Sequence, residues 1–265
     1  MRLASLSSGS SGNSIYVGSD TTNILIDTGC SKKKIEEGLN GLELSLSDID
    51  AIFVTHEHSD HISGLRTILK KYDIPVFATK GTIQGIRTSD KKGEMLSCEF
   101  HEIRADEKVS LKDLTINPMT IMHDALEPVA YRVSCGKSKI AVATDLGCYD
   151  EYIVDNLRGM DGILIEAHHD VRMLQTGPYP YYLKRRILGE KGHLSNDKSA
   201  ELLCRILHDD LKGILLGHLS KENNLPELAY ETVRVEIEMG DNPYHGNDFP
   251  IMVAARNELS PVIEV

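Results

Sequence analysis

Seven residues, Thr55-His56-Glu57-His58-Ser59-Asp60-His61, restrict this chain more than any others. They follow directly on the apolar run Ala51-Ile52-Phe53-Val54, which reads as a strand buried on both faces. In extended chain, residues i and i+2 point to one side, so His56 and His58 can grip one metal ion at a strand end. Asp60 and His61, where the chain turns into a helix, can face a second ion, and an aspartate oxygen suits the harder of two sites. Core packing does not call for three histidines and an aspartate within residues 56–61.

The surrounding chain alternates. Short apolar or β-branched runs at 3–7, 14–18 and 23–27 are separated by the turn clusters 8–13 and 19–21 and predict a meander. Further strands are expected at 109–111, 114–119, 129–134 and 139–143, with the last two joined by a turn at 135–138. Buried strands are expected at 162–165 and 213–216. Helices are expected over 32–39, from Gly64 through Lys70, and over 149–157, 181–188, 196–208 and 226–239. No Pro, Gly or Ser linker divides the chain, which reads as one domain, 1–265, with two packed sheets and helices outside.

Four more potential ligands end apolar runs: Asp27 after Ile24-Leu25-Ile26, His123 after Ile121-Met122, Asp145 after residues 141–144, and His218 after residues 214–217. Strand ends gathered on one rim are where α/β proteins assemble sites. The tetrapeptide Gly-His-Leu-Ser occurs twice, at 192–195 and 217–220, each time placing a histidine before a segment that Ser195 or Ser220 could cap as a helix.

Composition removes several classes of function. The net charge of −11 argues against a broad basic surface for nucleic acid. The five cysteines, Cys30, Cys98, Cys135, Cys148 and Cys204, include no C-x-x-C pair and fit a reducing compartment. No apolar run reaches the ~18 residues of a membrane span, and residues 1–7 do not form a signal peptide, so a cytoplasmic protein without membrane association is expected.

With these residues in place, the chain resembles the metallo-β-lactamase fold superfamily. Thr-His-x-His-x-Asp-His at 55–61 is the most specific motif, and Asp27, His123, Asp145 and His218 match the others in order. The resemblance implies an α/β four-layer αββα sandwich with two divalent metal ions, zinc or manganese, at the sheet edges. It implies that His56, His58 and His123 bind one ion, that Asp60, His61 and His218 bind the other, and that Asp145 bridges, with Asp27 behind the ligands to orient them. Two ions about 3.5–4 Å apart can generate hydroxide near neutral pH and stabilise the attacking and leaving oxygens of a hydrolysis.

Residues outside the shared ligands point to phosphodiesters. Glu166 and His193 resemble the glutamate and proton-donating histidine of tRNA 3′-processing and other nuclease branches. The run 166–196, the segment 217–224 and the Ser/Gly turn at 8–13 resemble the YycJ/WalJ branch, described as 5′→3′ exonucleases acting on DNA. His168 departs from that branch's pattern, where asparagine is expected. A DNA end is therefore the expected partner, with Asp60, Glu166 and His193 catalytic and His169 supporting the site. Substrate contacts are expected from Ser10, Asn13, Lys184, Arg185, Arg186 and Asn223, the turn at 8–13 offering N–H groups to a phosphate and Tyr179–Arg186 interleaving aromatics with cations. Two other readings stay open: a small-molecule hydrolase, such as a glyoxalase II-like thioesterase or a cyclic phosphodiesterase, and a non-catalytic scaffold that keeps the fold.

Overall fold

A computed structural model describes residues 1–90, 93 and 98–265. Its two sheets each have seven strands. The first contains β1 (Arg2–Ser7), β2 (Ser14–Gly18), β3 (Asn23–Ile26), β4 (Ala51–Phe53), β5 (Val76–Thr79) and β6 (Phe100–Ile103). The second contains β7 (Val109–Leu111), β8 (Leu114–Thr120), β9 (Val129–Cys135), β10 (Ser138–Ala143), β11 (Gly162–Glu166), β12 (Gly213–Gly217) and β13 (Ile251–Val253), and β14 (Ile263–Glu264) returns to pair with β1. Both sheets pass from an antiparallel meander, β1-β2-β3 or β7-β8-β9-β10, into parallel strands, β3-β4-β5-β6 or β10-β11-β12-β13.

The period-two geometry of strands explains why their apolar runs are continuous. In β3, Ile24 and Ile26 enter the core between the sheets while Leu25 faces outward into a second core. In β11, Leu164 faces the inter-sheet core and Ile163 and Ile165 face a third. Three apolar cores separate four layers, as the αββα expectation requires. The helices are α1 (Lys32–Gly41), α2 (Ser59–Ile62), α3 (Leu65–Leu69), α4 (Lys80–Ser89), α5 (Glu151–Leu157), α6 (Val171–Thr176), α7 (Tyr181–Ile187), α8 (Asn196–Cys204) and α9 (Pro226–Met239). Ile35, Leu39, Leu65 and Ile68 of α1 and α3 cover the first sheet; Ile153, Leu202, Leu203 and Val233 of α5, α8 and α9 cover the second.

Several elements differ from expectation. The pair β5 and α4, the edge strand β6, and α6 have no sequence pattern long enough to announce them. α5 begins at Glu151 because the Asp150 side chain accepts the Ile153 N–H and caps it. Ser195 caps α8 through the Lys198 N–H, whereas Ser220 accepts the Asn223 N–H and α9 starts only at Pro226. No helix among the described residues is long and apolar enough to cross a membrane.

Candidate metal centre

The chain enters this centre from strand ends, and at three of them the backbone turns through the left-handed region. Asp27, Asp145 and His218 have φ of 63°, 60° and 57°, conformations that non-glycine residues seldom adopt. Such strain is kept where the surroundings enforce it, and here it swings each side chain inward as its strand ends. Gly29 allows the neighbouring loops to meet: a Cβ there would lie 1.6 Å from the carbonyl oxygen of Asp60.

The histidines converge in two groups. Ligand atoms of His56, His58 and His123 lie within 4.8 Å of one another, as do those of Asp60, His61 and His218. His58 Nδ1 stands 3.0 Å from His56 Nε2 and 3.3 Å from His123 Nε2. Asp145 lies between the groups, Oδ1 being 3.6 Å from His123 Nε2 and 3.3 Å from His218 Nε2, and Oδ2 3.3 Å from His61 Nε2. That Oδ2 is buried without a hydrogen-bond partner. A buried carboxylate oxygen unpaired among imidazoles fits a cation.

Hydrogen bonds behind the rings select the tautomers. His61 Nδ1–H donates to Asp27 Oδ2 at 2.7 Å, His123 Nδ1–H to the Gly192 carbonyl at 3.1 Å, and His218 Nδ1–H to Asn13 Oδ1 at 3.2 Å. The Thr55 hydroxyl donates to Asp27 Oδ2 at 2.8 Å and accepts from His56 Nδ1 at 3.0 Å. Four rings therefore turn Nε2 inward, the orientation ligating histidines need.

The electrostatics agree. Burial, reinforced by neighbouring imidazoles, holds His56 well below its ordinary range and His218 at about 4, in the neutral form that binds metal. Burial opposes charge on His61 as well, but Asp145 and Asp27 outweigh it and raise the ring to about 10. Burial also pushes Asp27 upward, so this pair shares a proton, which the short hydrogen bond assigns to His61 Nδ1. Burial disfavours the Asp145 carboxylate, yet His218 and His61 keep it well below the usual range. These buried carboxylates call for positive charge, and a bound cation takes the place of a proton.

Beside the ligands, His193 Nδ1 lies 2.7 Å from Oε1 of the wholly buried Glu166. The other oxygen, Oε2, accepts the Leu146 and Leu194 N–H groups, at 2.9 and 3.2 Å. Burial works against an imidazolium at His193, but Glu166 and then Asp145 shift the ring upward. Burial raises Glu166 too; the hydrogen bond favours the proton on the ring.

Residues 22–211 match the β-lactamase superfamily domain. The chain belongs to the β-lactamase superfamily. It is 37% identical over 260 residues to "Exodeoxyribonuclease WalJ" of Streptococcus pneumoniae, covering 98% of this chain and 96% of that one. It is 35% identical over 238 residues to "Exodeoxyribonuclease YycJ" of Bacillus anthracis, covering 90% and 89%. The crystal structure of the metallo-β-lactamase fold protein YhfI from Bacillus subtilis superposes with a TM-score of 0.71 over 97% of this chain and 98% of that one, at 12% identity. The metallo-β-lactamase fold together with these His/Asp clusters supports divalent metal binding.

Within this superfamily member, the residues expected from sequence to contact substrate differ in exposure and in bonding. Asn13 is fully buried; its Oδ1 accepts the Gly9 N–H at 2.9 Å as well as His218, and its Nδ2 lies 3.2 Å from His61 Nε2. It orients His218, and the turn at 8–13 spends part of its N–H capacity on itself. Asn223 is also fully buried, with Nδ2 donating to Ser220 Oγ. Lys184 caps α6, its ammonium donating to the carbonyls of Gln175 and Gly177 at 2.8 and 2.7 Å. Ser10 and Arg186 do line a cavity of about 360 Å³ over the ligands, together with Tyr179 and Leu183. Arg186 forks onto Asp124, and Arg185 lies exposed on α7. His169 sits behind the centre, meeting it through His168, their Nδ1 atoms 3.3 Å apart.

Four contributors carry no role in the sequence reading. Thr55 was visible as a motif letter, Asp124 as the neighbour of His123, and Ser8, whose hydroxyl accepts the His218 N–H at 2.7 Å, as a turn residue. His168 stood out only as a departure. Its ring stacks on His193 with centroids 4.1 Å apart and an interplanar angle of 10°.

Proposed function

We propose that this chain is a 5′→3′ DNA exonuclease working through two divalent cations, zinc or manganese. His56, His58 and His123 would hold one, Asp60, His61 and His218 the other, with Asp145 between them. When bound, the cations supply positive charge to the phosphoryl oxygens and make an attacking water acidic enough at neutral pH. The metal-dependent hydrolase reading rests on the superfamily and on relatives named exodeoxyribonucleases that match nearly the whole chain.

The observation that carries the phosphodiester chemistry is the Glu166–His193 pair beside the ligand cluster. Glu166 holds the imidazole by Nδ1, leaving Nε2–H to protonate a leaving oxygen, a contribution of about 10²–10⁴-fold. Arg186, at the cavity wall, pairs with a phosphate on the scissile strand. On α7, Tyr181 and Tyr182 are 76% and 75% exposed, faces on which unpaired bases can stack. The acidic chain has no broad basic clamp, so engagement concentrates on the strand end at the cations.

The test compares 5′- and 3′-labelled DNA and RNA, single and double stranded, with manganese and with zinc. Stepwise release from 5′ DNA ends is expected. A loaded enzyme that left every nucleic acid intact yet cleaved a thioester would sink the nuclease reading.

A further inference from the structure

A second cavity, of about 570 Å³, shares His193 with the cavity over the ligands but is lined by none of the seven ligand residues. Its volume falls in the range of about 300–1,000 Å³ typical of small-molecule sites. Tyr149, Leu188 and Leu194 provide aromatic and apolar wall; Ser195 and Lys198, at the start of α8, and the carboxylate of Glu190 provide polar groups. His169 also lines it; this ring is 1% exposed, and its Nε2 has no hydrogen-bond partner. Leaving such a group unsatisfied is unfavourable, and a ligand in this cavity can satisfy it.

The position of the proton donor says what that ligand is. A group that protonates the leaving oxygen must face the leaving group. In hydrolysis of the first phosphodiester at a 5′ end, the leaving oxygen is O3′ of the terminal nucleotide, so one nucleotide departs on the His193 side. Digestion from a 3′ end would place the whole remaining strand there. We infer that this cavity receives the 5′-terminal nucleotide, a deoxynucleoside 5′-monophosphate, and thereby sets the direction of digestion; the inference rests on the nuclease reading above. Its base lies against Tyr149, Leu188 and Leu194, and its 5′-phosphate is held by the Lys198 ammonium at the start of α8, where the Asn196 and Lys198 N–H groups are already taken by the His169 carbonyl and Ser195 Oγ. Lys198 now pairs with Glu201 at 2.6 Å, more than half exposed, and exchanges that carboxylate for the phosphate.

The step balances. The oxygen of one water bonds to phosphorus, the P–O3′ bond breaks, His193 gives its proton to O3′, and a proton from the water passes to solvent, from which His193 is reprotonated. The products are a free deoxynucleoside 5′-monophosphate and a strand with a new 5′-phosphate, ready for the next round.

Calorimetric titration of the metal-loaded protein with deoxyadenosine 5′-monophosphate and with deoxyadenosine 3′-monophosphate tests this. The 5′-monophosphate should bind at least about tenfold more tightly, a difference of about 1.4 kcal/mol. Lys198→Glu, at an exposed position, should remove that preference and bring the cleavage rates of 5′-phosphate and 5′-hydroxyl ends together. Cys148→Trp, which fills the cavity, should abolish binding of both nucleotides. Equal binding of the two by the wild type, or an undiminished 5′ preference in Lys198→Glu, overturns the cavity assignment while leaving nuclease activity standing. Absence of DNA cleavage by the wild type would instead remove the reading beneath it.

Discussion

Glu166 holds His193 at 2.7 Å through one carboxylate oxygen while two backbone N–H groups hold the other. The imidazole is thus aimed by a group that cannot itself rotate. His193→Ala should lower kcat by about 10²–10⁴ with little change in KM, and Glu166→Gln should lower it as well, since both carboxylate oxygens accept N–H groups and the amide NH2 would face a donor on one side. Steady-state kinetics on 5′-labelled linear DNA measure both; full activity in His193→Ala would remove the proton-donor role.

His168 supports the same ring from its face. An aromatic pair of this geometry is worth about 0.5–1.5 kcal/mol, so His168→Ala should cost up to about tenfold in kcat. His168→Phe keeps a ring and should recover most of the loss. Equal kinetics in the Ala and Phe variants would mean that stacking does not position His193.

Asp27 orients His61 directly and His56 through Thr55. Asp27→Asn should therefore weaken metal binding by about 10–100-fold, and Thr55→Val should act in the same direction. Competition with a chromogenic chelator reads this without reference to turnover; unchanged affinity in both variants would contradict the relay.

Gly29→Ala forces a methyl into the Asp60 carbonyl, which belongs to backbone and cannot swing away. The loss of stability should exceed the usual range of about 0.5–3 kcal/mol for a point substitution. Urea unfolding of the chelated protein tests this; a midpoint equal to wild type would show that the loops can separate at no cost.

Arg186 meets Asp124 at the cavity rim, a half-exposed pair worth about 0–1 kcal/mol to stability. Arg186→Ala should leave the melting temperature nearly unchanged, raise KM for DNA and flatten the dependence of KM on salt. An unaltered salt dependence would argue that Arg186 makes no phosphate contact.

Sequence alone determined the elements whose pattern is local. The apolar runs of β3, β4, β11 and β12 are continuous because both faces are buried, and the crowding of histidines at 56–61 needs no partner elsewhere to be noticed. Asp27, His123, Asp145 and His218 could be picked out because each follows such a run. Tertiary structure alone decided which way polar side chains face. Asn13, Lys184 and Asn223 are residue types that suit a substrate, yet the first and last are buried and the other caps a helix: Asn13 Oδ1 meets His218, distant in sequence, while Lys184 and Asn223 bond to the nearby Gly177 and Ser220. The stack of His168 on His193 and the cavity behind it arise where the loops after β10 and β11 meet the segment before α8. Periodicity reports which face of an element is apolar; it carries no information on which loops will come together.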